Sequence, residues 1–405
     1  MNMGRSTPLR VLMVTREMGH DRRYGLGKSL APVVSALCAQ GVPTDYVCQD
    51  DLPDRWQSMR QRWLARVFGW PGLRERADRR LQLSAWTERL WMGFWAARLA
   101  QAKGFSHVHL HDPWMGCGFR WAAWWLGLKS VRWGVTEHGF GSYSHATHVD
   151  GLHQGPRTAR WFRRLEAQTL AAADWVMCPT ASAAEQLARD LALPRVPAHW
   201  HVVPHARPVV PALSQAQARA TLGWSQEGLY VVAVGRLVPL KNMDWVLQAC
   251  AAWADQCPQL RLCILGEGDH AALREQAAAL GMADRLVLQV TDDVMPFLRA
   301  ADVYVSASSS ESFGLANVEA LCAGLPCLCT AVGGVPEVVS DGAWLVPCDP
   351  QALTRALGSL LDNAHWRAFW QARAEARALA CPDADWIAQR YVQIYSPPAG
   401  SGPSS

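Results

Sequence analysis

The sequence predicts an α/β chain made of two doubly wound parallel-sheet domains, and three observations carry that prediction. Apolar runs of strand length alternate with stretches of helical apolar spacing along nearly all 405 residues, the pattern of parallel sheets covered on both faces by helices. Half of the residues are hydrophobic, which at this length supplies two substantial cores of ordinary domain size. Pro204, Pro208 and Pro211 interrupt the alternation and place a boundary between Pro204 and Ser214. The expected organisation is an N-terminal domain over 1–206, a C-terminal domain over 207–385, a last helix over 386–396, and a disordered Pro, Gly and Ser tail over 397–405.

Each half opens on a strand, a loop and a helix. Leu9 to Thr15 reads as a buried strand, followed by the loop Tyr24-Gly25-Leu26-Gly27-Lys28 and a helix through Leu30, Val34 and Leu37 to Gly41. In the second half the strand Val231 to Val234 ends at Gly235-Arg236-Leu237, Lys241-Asn242 follow, and a helix runs through Trp245, Val246 and Ala249. Leu265-Gly266-Glu267-Gly268-Asp269 is a Gly-x-Gly turn. Val303-Tyr304-Val305 is a strand, Ser306 to Ser310 its loop, and Leu315 to Cys322 a helix, with Gly333-Gly334-Val335-Pro336-Glu337 beyond it.

Glu311 and Glu319, with seven residues between them, flank the Phe313-Gly314 turn. A helix that starts just after Gly314 offers unpaired backbone N–H groups and the positive end of its dipole, which suits a phosphate. The two carboxylates would repel a diphosphate, but their acceptor oxygens match pairs of hydroxyls on ribose and hexose. The stretch therefore reads as a sugar-nucleotide site. Singly, Arg236 and Lys241 read equally as surface cations, the glutamates as solvated charges and the glycines as turn formers. The ordered set of four motifs in one half of the chain argues for a common site.

That ordered set resembles the retaining glycosyltransferases of the GT-B fold, the family numbered four, over nearly the whole chain. The resemblance implies two Rossmann-like domains facing a cleft, the last helix (Asp385 to Tyr395) crossing back to the first domain. It implies Arg236 and Lys241 as a diphosphate clamp, Glu311 on the sugar hydroxyls and Glu319 on the ribose. Gly25, Gly27, Gly235, Gly266, Phe313, Gly314 and Leu315 are the remaining donor-site residues it points to. His138, in Val135-Thr136-Glu137-His138-Gly139 at a strand end, is implied as the contact to the donor sugar near the reacting carbon. The implied reaction moves a hexosyl unit from a nucleoside diphosphate sugar to an acceptor hydroxyl with retention, by same-face attack or through a covalent step. A UDP-sugar is the preferred donor, with GDP-mannose the other, and neither cofactor nor metal is required. The setting it suggests is bacterial cell-surface glycan assembly: lipopolysaccharide, exopolysaccharide or lipid-linked oligosaccharide. Rival readings are an inactive sugar-nucleotide binder, a membrane scaffold, and a GT-B epimerase or phosphorylase.

Two positions depart from the family's pattern. Tyr24 replaces the first glycine of a usual pair, and His205, in Val203-Pro204-His205-Ala206, stands where relatives usually carry asparagine and glycine. His107, His109 and His111 alternate onto one face of a strand, so a metal site with His138, His145 or His148 is the alternative to simple hydrogen bonding.

The net charge of +4 hides an uneven distribution. Asp54 to Lys103 holds eleven Lys and Arg against four Asp and Glu, an excess of +7 that leaves −3 elsewhere, together with six of the 21 tryptophans. Trp56, Met59, Trp63, Val67 and Trp70 are predicted on one face of a helix that Pro71 stops, with Arg55, Arg62 and Arg66 along one flank and Arg60 on the other. Such a segment suits an anionic membrane surface, against the simpler reading of a packed helix with solvated arginines. No nucleic-acid-binding module accompanies the charge. The twelve cysteines form no Cys-x-x-Cys pair, no signal peptide opens the chain, and no apolar run approaches the ~18 residues of a membrane span. The expected location is the cytoplasm, peripheral on the inner face of the plasma membrane, and the expected acceptor is a glycan or a lipid-linked species.

Overall fold

The computed structural model describes residues 8–17, 25–70, 77–149 and 155–396. Tyr24, Pro71 and the tail over 397–405 lie outside the described residues, as does the His148 side chain. The chain divides into two compact units, Met1–Pro204 with Ala384–Ser405, and His205–Asp383, and the first break falls inside the proline-bearing segment.

Unit 1 runs β1 (Val11–Val14), α1 (Gly25–Ala39), β2 (Thr44–Val47), α2 (Asp54–Phe68), α3 (Ala77–Lys103), β3 (His107–Leu110), α4 (Pro113–Leu126), β4 (Arg132–Thr136), α5 (Tyr143–Val149), α6 (Pro156–Ala172), β5 (Trp175–Cys178), α7 (Ala181–Asp190) and β6 (Trp200–Val202). Its six strands pair in parallel in the order β2-β1-β3-β4-β5-β6. Strands β1, β3 and β5 are buried along their whole length, as strands sandwiched between helices must be. Asp112 starts α4 by accepting the Trp114 and Met115 amides, and Gly127 ends it in the left-handed region at φ +67°.

Helices α3 and α4 touch backbone to backbone. A Cβ on Gly93 would lie 2.2 Å from Met115 O, and one on Gly118 would lie 2.3 Å from Leu90 O. Helix α2 packs on the outside of α3, with Trp56 edge-on to Trp91 at 5.8 Å. Arg60 donates to Ser84 O and Oγ there and pairs with Glu88, and Leu64 is the buried residue of α2. This corrects the helical face read from the sequence: Trp56 and Arg60 are turned inward. Met59, Trp63 and Trp70 are 45%, 43% and 64% exposed, beside the exposed Arg55, Arg62 and Arg66.

Unit 2 runs α8 (Gln215–Leu222), β7 (Leu229–Val234), α9 (Met243–Ala251), β8 (Leu260–Leu265), α10 (His270–Ala279), β9 (Leu286–Gln289), α11 (Met295–Ala300), β10 (Val303–Ser306), α12 (Leu315–Cys322), β11 (Cys327–Thr330), α13 (Val335–Val339), β12 (Trp344–Val346), α14 (Pro350–Asp362) and α15 (Ala364–Ala380). Its sheet, also parallel, has the order β12-β11-β10-β7-β8-β9. The alternation of β7 shows why both faces are covered. Leu229, Val231 and Ala233 pack with Val246 and Cys250 of α9, whereas Tyr230 and Val232 pack with Leu298 of α11 and Leu321 of α12. The last helix, α16 (Ala384–Tyr395), belongs to unit 1 and packs on α1.

All twelve cysteines are free thiols, most of them buried. Among the described residues no helix is long and apolar enough to cross a membrane.

The α3–α4 crossing makes a direct prediction. Gly93→Val must push the two backbones apart, and the loss in unfolding free energy is expected to be about 3 kcal/mol, read by urea titration. A change within ±0.5 kcal/mol would show that the crossing yields without cost.

Candidate functional site

In open parallel sheets, ligands bind outside the carboxyl ends of the strands where the strand order reverses. In unit 2 that point lies between β7 and β10, and the residues leaving those two strands are Gly235-Arg236 and Ala307 to Glu311. Gly235 carries φ +154°, and the Lys241 side chain lies over it, with Lys241 Cδ and Cε 3.5 Å from where a Cβ would stand. Lys241 Nζ then reaches Glu311 Oε2 at 2.5 Å, with both side chains about one-fifth exposed. Backbone ties fix the pair. Ser309 N donates to Leu240 O, Asn242 Nδ2 donates to Ala307 O, and Gly334 N donates to Glu311 O. Three of the sequence motifs thus converge on one place. Arg236 is exposed on the same strand exit, with no ion-pair partner among the described residues.

Gly314 precedes α12 at φ +80°, where a Cβ would stand 2.5 Å from Asn317 Nδ2, so no other residue fits without strain. No side chain caps this helix. Its first amides, at Leu315 and Ala316, have no acceptor within the helix and face an anion-compatible loop. Phe313 is buried against Val318, Val338 and Cys381, with the His205 ring edge-on at 4.9 Å. Leu315 packs on the same cluster, and Glu319 stands half-buried one turn into α12. The residue that replaces the family's usual asparagine thus supports the turn before α12.

The Gly-x-Gly turn packs one strand exit on another. Gly266 N donates to Gln289 O and Gly235 N donates to Leu265 O. A Cβ on Gly266 would sit 2.0 Å from Gly235 O, and one on Gly268 2.5 Å from Leu237 Cβ. The glycines let the exit of β8 lie directly on the exit of β7, closed by Leu237 N to Glu267 O at 2.7 Å.

In unit 1 the histidines of β3 continue as a ladder. His107 Nε2 meets Tyr395 O at 3.1 Å, and His109 bonds Tyr395 Oη through Nδ1 and Thr136 Oγ1 through Nε2 at 2.7 and 2.6 Å. His111 Nδ1 meets His138 Nε2 at 2.9 Å, the rings stacked 5.2 Å apart at 17°. A nitrogen-to-nitrogen hydrogen bond requires one ring to donate and the other to accept, so His111 sets the tautomer and plane of His138. Burial, followed by the neighbouring His138, pushes the His109 pKa down to about 3. Among the described residues no three His, Cys, Asp or Glu side chains gather as a metal-binding group.

Beside His138 the Glu137 carboxyl is buried, and neither of its oxygens has a hydrogen-bond partner among the described residues. Burial first, then Glu166 and Asp112, raise its pKa well above the ordinary carboxylate value. Asp112 itself is held by a buried ion pair with Arg89 at 3.0 Å. The loop before α1 is tied down similarly: Glu17 accepts the Gly27 amide at 2.7 Å and the Tyr46 hydroxyl at 3.0 Å, and Gly25 is the first residue of α1. Sequence reasoning missed the His111–His138 pair, Glu17 and Glu137. The His-x-His-x-His alternation and the Glu-His step at a strand end were the available signals for the first and last.

Residues 214–377 match the family model described as glycosyl transferases group 1, and residues 24–206 match a glycosyl transferase 4-like domain. The chain is 34% identical over 327 residues to the D-inositol 3-phosphate glycosyltransferase of Streptomyces scabiei, covering 73% of this chain and 68% of that one. It is 32% identical over 336 residues to the protein of that name from Streptomyces avermitilis, covering 78% and 69%. Among solved structures it resembles sucrose-phosphate synthase from Thermosynechococcus elongatus, with TM-score 0.72 at 21% identity over 96% of this chain and 98% of that one. It also resembles HepE of Anabaena in complex with UDP and glucose, with TM-score 0.68 at 17% identity over 96% and 100%. WaaG, a glycosyltransferase involved in lipopolysaccharide biosynthesis, gives 0.66 at 15% identity over 96% and 100%.

The buried ladder makes acid sensitivity predictable. His109 is neutral in the folded state far below the pH at which it protonates when unfolded, so the unfolded chain binds the extra proton as pH falls below about 6.5. Its contribution is fully present above that pH and is expected to decline by about 2 kcal/mol by pH 5. His109→Gln should flatten this acid limb in urea titrations across pH. An unchanged slope would assign the acid sensitivity to other groups.

Proposed function

Because this chain belongs to the group 1 glycosyl transferases and has the GT-B fold, we propose that it transfers a hexosyl unit from a nucleoside diphosphate sugar to an acceptor hydroxyl with retention at the anomeric carbon. The observation that carries the reading is the meeting of Lys241 with Glu311 at the switch point of unit 2, beside the uncapped start of α12. Negative charge grows on the diphosphate as the glycosidic bond breaks. Arg236, Lys241 and the first amides of α12 are the groups that receive it. Glu311 shares its carboxylate between Lys241 and the sugar hydroxyls, and Glu319 takes the ribose, fixing the anomeric carbon for attack. His138, bonded to His111, is the proposed contact to the donor sugar.

A UDP-sugar is the preferred donor, a reading supported by the UDP and glucose named in the HepE complex, and GDP-mannose is the other. The acceptor is a glycan or a lipid-linked species of bacterial surface glycan assembly. The exposed Trp63, Trp70 and Met59, flanked by Arg55, Arg62 and Arg66, support a peripheral seat on an anionic membrane surface from the cytoplasmic side.

Arg236→Ala and Lys241→Ala are expected to lower kcat by about 100-fold or more while raising KM for the donor much less, because leaving-group charge is larger in the transition state than in the bound donor. Equal losses in binding and turnover would contradict the clamp. In the same assay, EDTA should leave the rate unchanged, since fixed cations and amides serve where a divalent ion would. Loss of activity in EDTA with recovery on adding Mg²⁺ or Mn²⁺ would overturn that part of the reading.

The membrane seat is tested by sedimentation with anionic and neutral liposomes. Each basic residue near an anionic surface contributes about 1 kcal/mol, so Arg55→Gln, Arg62→Gln and Arg66→Gln together should release most of the bound protein at low salt. Arg60 is left in place because it packs on α3. Equal binding by the variant would make α2 an ordinary surface helix.

A further inference from the structure

The segment that carries His138 continues from β4 into a feature that the donor chemistry does not use. Between the β4–α5 connection, α6 and the end of α7 lies a cavity of about 350 Å³, a size within the range of small-molecule sites. Its wall is lined by Arg160, Arg163, Arg189 and His145, with Ser142 and Ser144. Asp190 also lines it, but both of its oxygens are engaged, one by the Ser142 amide at 2.7 Å and the other by Gln186 Nε2 at 2.8 Å. The contact is close enough to demand glycine next door: at Gly141, φ +92°, a Cβ would stand 2.4 Å from Asp190 Oδ2.

The arginines are not spent on one another's neighbours. Arg163 has no hydrogen bond or ion pair among the described residues, and Arg160 makes a single long bond, Nε to Pro156 O at 3.3 Å. Arg189 shares its charge with Glu185 and Gln186. Ser142 is buried, and its Oγ accepts from the His145 amide and the Ser144 hydroxyl, so its own proton is left to donate without an acceptor among the described residues. Three exposed guanidinium forks and the Ser142 hydroxyl around a concave space, with excess positive charge, match the tetrahedral oxygens of a phosphate.

We infer that this cavity binds the phosphate group of a ligand on the acceptor side of the reaction. The inference rests on the glycosyl-transfer reading. Ser142 is four residues beyond His138, so the two lie within about 14 Å of each other, near enough for one ligand to hold its phosphate here and present a hydroxyl toward His138. The phosphate can belong to a soluble phosphorylated polyol or to a lipid head group.

The test measures equilibrium binding by the full chain and by two variants, Arg160→Gln with Arg163→Gln, and Arg163→Lys. The probes are glycerol 3-phosphate, inorganic phosphate, and phosphatidylcholine vesicles with and without phosphatidic acid. Wild type should bind glycerol 3-phosphate or the phosphatidic acid vesicles. The double variant should lose at least about tenfold in affinity, and Arg163→Lys should keep part of it. Binding of the soluble probe assigns the polyol source; binding of the vesicles alone, lost in the double variant but kept when Arg55, Arg62 and Arg66 are changed to Gln, assigns the lipid source. UDP affinity should be equal in all proteins, which shows that the variants are folded and keeps the two readings apart. Absence of UDP binding in wild type would remove the glycosyltransferase reading. Intact UDP binding with phosphate affinity unchanged in the double variant, or with no phosphate probe bound at all, would overturn the cavity's assignment.

Discussion

The placement of Lys241 depends on a backbone contact that leaves no room for a side chain. Gly266 lies against Gly235 O, Gly268 lies against Leu237, and together they lock the exit of β8 onto the exit of β7. That lock fixes where Arg236 leaves the sheet and where the turn through Lys241 begins. The same turn is then stitched to the end of β10 by Ser309 and Asn242. A long flexible side chain such as lysine loses much rotamer freedom when it is held. Here the loss is taken before any donor arrives, because Lys241 already lies over Gly235 and rests on Glu311.

Unit 1 solves a different problem, the burial of several titratable groups behind one surface. Burial lowers the pKa of His107 and His109, while Ser106, Thr136 and Tyr395 take their ring nitrogens as hydrogen-bond partners, and Asp112 pairs with Arg89. Glu137 has no hydrogen-bond partner among the described residues, and burial raises its pKa. His138 sits at the outer end of this arrangement, its ring bonded to and stacked on His111.

Much of this was legible in the chain. Leu315–Cys322 was read to the residue, because a left-handed glycine before an apolar 3.6-residue rhythm leaves little choice of start. The two parallel sheets were equally legible from the strand and helix rhythm. The face of α2 was misread, since Leu64 and Arg60 are turned inward by partners on α3, Ser84 and Glu88, twenty or more positions away. The Gly-x-Gly turn was legible as a turn, but its role in strand packing depends on a carbonyl thirty residues upstream. The arginine-lined cavity was not read at all. Its walls come from α6, α7 and the β4–α5 connection, and only the fold brings them together.

The last helix carries a consequence for how the protein is made. Tyr395 is buried between His107, His109 and Trp175, and its carbonyl also accepts from Arg132, so the sheet of unit 1 is finished by a residue near the far end of the chain. During synthesis everything from Met1 to Pro204 emerges first, yet it lacks that aromatic plug until the whole of unit 2 has been translated. Unit 2 is contiguous in the chain and waits for nothing after Asp383. The half that leaves the ribosome first is therefore completed last, and its histidine ladder stays open to water for the length of one domain's translation.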